Sequence, residues 1–253
     1  MESSGGSDSL KTDMRLPTIE GIIRRRILAN FRVEPSIIQR EIPDRFRPKL
    51  QEGFAVAGIC LIRLEHIRPK RMPEIIGISS ENAAHRVAVM WDEGGEPHEG
   101  VFISRRDTSS ELNHLLGGKI FPGEHHHASF EVIESSEAIK LSMKSDDGTV
   151  AVDIEGEITK SLPATSIFDS LSAASKFFEG GSLGYSVTKD RARLDGLKLE
   201  TREWHVEPLQ VSKAYSSYFS DSNKFPQGSV QFDHALIMRD IAHEWHSADD
   251  LFV

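Results

Sequence analysis

Cysteine is almost missing from this 253-residue chain. Cys60 stands alone, so no internal disulfide can form. A chain of this length buries roughly three-quarters of its unfolded surface, so packing can hold it without a bridge or a metal. Long apolar runs are missing too. None approaches the ~18 residues a membrane-spanning helix needs. The opening Met1-Glu-Ser-Ser-Gly-Gly-Ser-Asp-Ser carries acid where a secretory signal carries base, and no apolar block follows. These absences predict a cytoplasmic, reducing location and no membrane partner. Basic charge is also in deficit: 30 Lys and Arg face 39 Asp and Glu, for a net charge of −9. That argues against a general phosphate-binding surface, and nucleic acid is not expected as a partner. There is no Gly-x-Ser-x-Gly elbow, phosphate loop or dinucleotide glycine fingerprint, which disfavours those enzyme classes and leaves no cofactor expected.

What is present is alternation. Ile27, Ala29, Phe31 and Val33 fall at every second place and predict a half-buried strand. Glu34-Pro35 opens a short helix with Ile37, Ile38 and Ile42 on its apolar face, and Pro43 stops it. Residues 54–64 are apolar on both faces, as in a central strand covered twice, and place Cys60 in a buried, inert setting. A strand over His85–Trp91 ends at Asp92-Glu93-Gly94-Gly95, and Val101–Ser104 returns. Thr108-Ser-Ser-Glu111 has the capping-box pattern before Leu112, Leu115 and Leu116, with Gly117-Gly118 as the exit.

Ile139, Leu141 and Met143 alternate with lysine and serine, turn at Asp146-Asp147-Gly148, and resume at Val150, Val152, Ile154 and Ile158. After Pro163 a helix face runs from Ile167 to Phe178 and ends at Gly180-Gly181. Strands near 197–206 and 229–238 complete the regular part, while His243, Trp245 and His246 read as a terminal helix or tail. The pattern predicts an α+β chain, mainly antiparallel β, built on a curved sheet or barrel with a few short helices. It divides into a disordered leader (1–15), one domain (16–246) and a C-terminal tail (247–253).

Several polar groups stand out. Arg24, Arg25 and Arg26 alternate across a strand, so one could turn a guanidinium toward a carboxylate inside the fold; a charged strand end in water is the plainer reading. Arg105-Arg106-Asp107 lies between a strand and a capped helix, where rigid frames commonly hold functional groups, and equally suits a surface ion pair. In Glu124-His-His-His127, a strand would put His125 and His127 on one face. A third metal ligand would have to come from His114 or His85, and nothing fixes that, so no metal is expected. One histidine could still serve as an acid–base group in a pocket. Ser79 to His85 offers a carboxylate, an amide and an imidazole ahead of a strand, and Ser80 to Asn82 read as a turn or a helix cap.

Three stretches resemble the acetoacetate decarboxylase-like superfamily, and more closely a bacterial family described in those terms: residues 24–43, residues 103–118, and Asp233-His-Ala-Leu-Ile-Met-Arg-Asp240. The resemblance implies an internal pocket for a small organic acid or carbonyl compound, and homo-oligomers, since relatives assemble. It also implies Schiff-base chemistry on a lysine whose pKa a second lysine lowers. Here the sequence departs. The lysine pair falls near Asn113-His114 or His114-Leu115, or in a rival register on His126-His127, and Lys119 is the nearest lysine.

The family's pocket arginine falls on Arg24, or on Arg25 or Arg26 if the register slips. The expected site is therefore Arg24 and Arg106 for the substrate carboxylate, His114 or His126 for protons, and Asp107 to orient them. Lyase, hydratase or isomerase chemistry at a carbonyl is the leading expectation. A non-catalytic carrier on the same fold, and decarboxylation through Lys119, are the alternatives.

Overall fold

The computed structural model describes residues 17–116 and 123–253; the expected leader, the exit glycines Gly117-Gly118 and Lys119 lie outside them. The chain is dominated by antiparallel β-structure. In order it forms β1 (Ile19–Val33), α1 (Pro35–Ile38), β2 (Arg47–Pro48), β3 (Leu50–Gln51), β4 (Phe54–Pro69), β5 (Ile78–Glu93) and β6 (Glu96–Thr108). There follow α2 (Glu111–Leu116), β7 (His125–Glu134), β8 (Ala138–Ser145), β9 (Ala151–Ile158) and α3 (Leu171–Glu179). The last four are β10 (Leu183–Val187), β11 (Arg193–Thr201), β12 (Glu207–Ser216) and β13 (Val230–Phe252). Among the described residues no helix is long and apolar enough to cross a membrane.

Strand pairing closes on itself twice. One hydrogen-bonded circuit runs β13–β1–β4–β5–β6–β10–β11 and back to β13. The other leaves β6 through β7, β8, β9 and β12 and rejoins at β13. β13, β1, β4, β5 and β6 are common to both. Closing a sheet removes its open edges, and a strand shared by two circuits must be apolar on both faces. That accounts for the doubly apolar run in β4: Ala57, Ile59 and Leu61 pack in one core, and Val56, Cys60 and Leu64 in the other.

Local signals formed where they were strong. Pro35 sits in the first turn of α1, with Ile38 and Ile42 buried. The β8–β9 hairpin pairs Leu141 with Ile154 and Met143 with Val152. Helix α3 is shorter than its apolar pattern: it begins after Ser170, whose hydroxyl accepts from the Ala173 N–H, so Ile167 and Phe168 belong to the loop before it. Before α2 the Thr108–Glu111 capping box is not seen among the described residues. Thr108 is the last residue of β6 and its hydroxyl accepts from Ser110 N–H instead, while Glu111 turns to His127.

Three expectations are corrected. Ser80 to Asn82 is not a turn or cap but strand, paired with β4 and, at Asn82, with β6. His243 to His246 is strand as well. The stretch read as a tail continues β13 to Phe252, against β11.

Candidate functional site

Inside the first circuit lies a cavity of about 120 Å³. Its apolar wall includes Ile62, Leu64, Val101, Ile103, Leu197, Leu199 and Trp245; its polar wall includes Arg26, Arg86, Arg106, Asn82, Ser182 and His125. Cys60, Ala83, Ala84 and Asp107 also border it.

Two irregularities in the sheet deliver two of the arginines. Ile23 pairs with Leu64 and Arg25 with Arg63, so Arg24 is an extra residue in β1. Such a bulge reverses the alternation beyond it. Ile23 packs in one core and Ile27 in the other; Arg26, not Arg25, therefore joins the cavity face. Likewise His85 pairs with Arg105 but Arg86 with Ile103, which leaves Ser104 as an extra residue in β6. Arg106 thereby enters the cavity with Val101 and Ile103.

The three guanidinium groups have unusual company. Arg26 Nε donates to Cys60 Sγ at 3.2 Å. Arg106 Nε donates to Ser186 Oγ at 3.0 Å. Arg86 donates to the Asn30 side-chain carbonyl and lies under the Phe178 ring, 5.0 Å from its centroid. Among the described residues no carboxylate forms an ion pair with any of them. Burial brings Arg86 and Arg106 down to about 10, which leaves both charged at neutral pH. Arg86 Nε and Arg26 Nη1 are buried donors with no acceptor among the described residues. In a protein of net charge −9 this is a concentrated positive cavity.

His125 borders the same space. Its Nδ1 bonds to the Gly123 carbonyl at 3.3 Å. Burial, and then the Arg106 charge, push its pKa down to about 3, so the ring is neutral. A carboxylate on Arg106 would offset the second cause and raise the imidazole's pKa, while burial, the larger cause, stays.

The expected site residues divide. Arg106 and Asp107 reach the cavity wall; Arg24, His114 and His126 do not. Arg24 is the bulge residue itself, 43% exposed, and pairs with Glu65 and Asp240 at the surface. His114, on α2, is exposed and bonds to the His125 carbonyl. His126 points away from the cavity toward Asp147, at 3.3 Å. Asp107 is fully buried, but Arg105 occupies its carboxylate through Nε and Nη2, so it braces the wall rather than facing a ligand. Burial raises the Asp107 pKa despite that partner.

His127 does not join His125 in a metal site: it pairs with Asp146 and Glu111 beside His114. Among the described residues no group of three metal-ligating side chains converges. Nor does any described lysine line the cavity. Lys49 borders a smaller adjoining space of about 20 Å³ and is held by Glu99 at 2.8 Å. Sequence reasoning did not single out Arg86; an arginine followed by the apolar run Val87-Ala88-Val89 inside a predicted strand was the available signal.

The family model described as an uncharacterized conserved protein, DUF2071, matches residues 23–238. The chain belongs to the DUF2071 family. A search of curated protein sequences returns no match. In structure the chain is similar to an acetoacetate decarboxylase from Legionella pneumophila subsp. pneumophila str. Philadelphia 1, with TM-score 0.58, 12% identity, and coverage of 98% of this chain and 99% of that one. An acetoacetate decarboxylase-like enzyme from Sphingomonas wittichii RW1 gives TM-score 0.55 and 8% identity over 99% and 100% of the two chains. The enduracididine biosynthesis enzyme MppR, complexed with pyruvate, gives TM-score 0.55 and 9% identity over 99% and 98%. At these identities the likeness establishes the acetoacetate decarboxylase-like fold and nothing finer.

Proposed function

We propose that the cavity binds a small organic acid carrying a carbonyl group and acts on it by proton transfer. The observation that carries this reading is a set of three arginines, without carboxylate partners among the described residues, around one largely apolar cavity. Arginine forks recognise carboxylates in two-pronged fashion, and burial strengthens the attraction. Arg106, or Arg26 with Arg86, holds the carboxylate; the apolar wall receives the carbon skeleton; His125 exchanges a proton with the carbon or oxygen beside the carbonyl. His125 thus takes the part first expected of His114 or His126, and Arg26 that of Arg24. Chemistry of this kind is lyase, hydratase or isomerase chemistry without an enamine.

A carrier that binds the same acid without turnover is the second reading, favoured by the lack of a cavity lysine among the described residues. Decarboxylation through Lys119 is the third, and borohydride trapping with a keto acid followed by peptide mapping tests it.

Pyruvate, which MppR binds, is a suitable first probe. Calorimetry should show pyruvate binding to the wild-type protein, its uncharged amide binding far more weakly, and Arg106→Gln weakening the acid by on the order of tenfold or more. Equal affinity for acid and amide would dispose of the carboxylate site. Turnover of keto acids by the wild type, lost in His125→Gln, separates the enzyme from the carrier.

A further inference from the structure

Cys60 is the sole cysteine of the chain, and it lies on β4 in the cavity wall, 7% exposed. Its surroundings are not those of an inert core thiol. Arg26 Nε donates to its sulfur at 3.2 Å, and Arg86 and Arg106 both lie within electrostatic reach of it. A second observation points to a ligand at this spot. Arg86 is only 4% exposed, lines the cavity, and leaves Nε without an acceptor among the described residues. Buried donors almost always find partners, so an acceptor atom is wanted at Arg86, in the cavity that Cys60 also lines.

We propose that Cys60 is a nucleophile that adds reversibly to the carbonyl of a 2-oxo acid whose carboxylate the arginines hold. The sulfur forms a bond to the carbonyl carbon, and the π pair of the C=O moves onto oxygen. The thiol proton ends on that oxygen, which becomes the hydroxyl of a hemithioketal. Nothing leaves, so no oxidant, reductant or co-reactant is needed. The open arginine N–H groups donate to the oxygen as its charge develops, the role of an oxyanion hole. This step rests on the carboxylate reading of the cavity and adds to it the reacting group, one that needs no lysine.

Alkylation of the full-length native protein by iodoacetate and by iodoacetamide, followed by intact mass, is the first test. Simple thiols show no preference for the anion. If the arginines deliver anionic electrophiles to Cys60, iodoacetate reacts faster by on the order of tenfold, with saturation, and pyruvate slows it. A carbon-13 label at the pyruvate carbonyl then reports the adduct directly: a bound tetrahedral carbon in the wild type, lost in Cys60→Ser and Cys60→Ala. Both variants still hold the carboxylate on the arginines but lose the covalent bond, so pyruvate stabilises them less than it stabilises the wild type.

Iodoacetamide reacting as fast as iodoacetate, or a thiol silent until denaturation while pyruvate still stabilises the protein, overturns the nucleophile and leaves the carboxylate site standing. Pyruvate that stabilises neither wild type nor variant overturns the carboxylate site itself. The wild-type alkylation requires no variant to fold.

Discussion

Asn30 accepts a hydrogen bond from Arg86 with its side-chain oxygen and spends its amide on Leu28 and His234. His234 in turn bonds to Asp233 through Nδ1 at 2.6 Å. With Nδ1–H directed at the carboxylate, Nε2 accepts from the Asn30 amide at 3.0 Å. A buried relay therefore runs from Asp233 on β13 through His234 and Asn30 to Arg86 on the cavity. Its logic is electrostatic. The acid sits at the far end, and the group that meets Arg86 is neutral. Arg86 is fixed in direction without being neutralised, which leaves its charge for a ligand.

Asn30→Ala tests the relay. The substitution removes one partner from Arg86 and one from His234, both buried, and each orphaned group costs about 1–3 kcal/mol. Urea unfolding should register that loss. Calorimetry with pyruvate should show affinity reduced as well, because Arg86 loses its fixed direction. Reduced stability with unchanged affinity would restrict Asn30 to a structural part.

Buried histidines make stability depend on pH in a defined window. Burial brings His85 to about 3 and His243 to about 4, and burial with Arg106 brings His125 to about 3, each from an ordinary 6.5. The unfolded chain takes up these protons below pH ~6.5 while the folded chain does not. Stability is thus fully present above that pH and falls as the solution is acidified toward each folded value, by up to about 1.4 kcal/mol per pH unit for each ring. His85 isolates the effect. It is 1% exposed, both ring nitrogens lack partners among the described residues, and it packs on Tyr218. His85→Leu should flatten the melting-temperature profile between pH 6.5 and 4 and hold or raise stability at pH 5. A steeper acid loss in the variant would contradict this assignment.

What could be read from the residues was whatever is local. Pro35, the Asp146-Asp147-Gly148 turn and the doubly apolar β4 each act within a few positions, and each formed. Residues 183–187, 207–216 and 243–252 became strands through partners far along the chain, which no short window contains. The site failed for a sharper reason. Strict alternation groups Ile23 with Arg25 and Ile103 with Arg105, whereas the extra residues Arg24 and Ser104 shift the phase by one. A bulge costs one residue of sequence and reverses everything after it; Arg24 itself came from the resemblance, which left Arg25 and Arg26 open, and it is Arg26 that lines the cavity.

That correction has its own test. Arg24 is held by Glu65 and Asp240 at the surface, where an ion pair contributes ~0–1 kcal/mol. Arg24→Ala should leave pyruvate affinity within about twofold and stability within that margin. Arg26→Ala, two positions away, should weaken binding by on the order of tenfold, as expected when one member of a buried charge contact is removed. The reverse order in calorimetry would return the carboxylate contact to Arg24.

Room in the cavity depends in part on Gly184. A Cβ built there stands 3.3 Å from Ile103 Cδ1 and 3.4 Å from Val101 Cγ2, both cavity residues, with the Leu197 carbonyl at 3.8 Å. One methyl group is close to ordinary contact, so Gly184→Ala should fold and bind almost normally. A longer side chain has to extend among Val101 and Ile103 and take volume from a space of only about 120 Å³. Gly184→Leu should therefore abolish pyruvate binding while costing about 1–3 kcal/mol of stability, the usual toll of overpacking. The pair separates occupancy of the cavity from damage to the fold. Binding retained by a folded Gly184→Leu protein would place the acid outside this cavity, and the arginines around it would need another explanation.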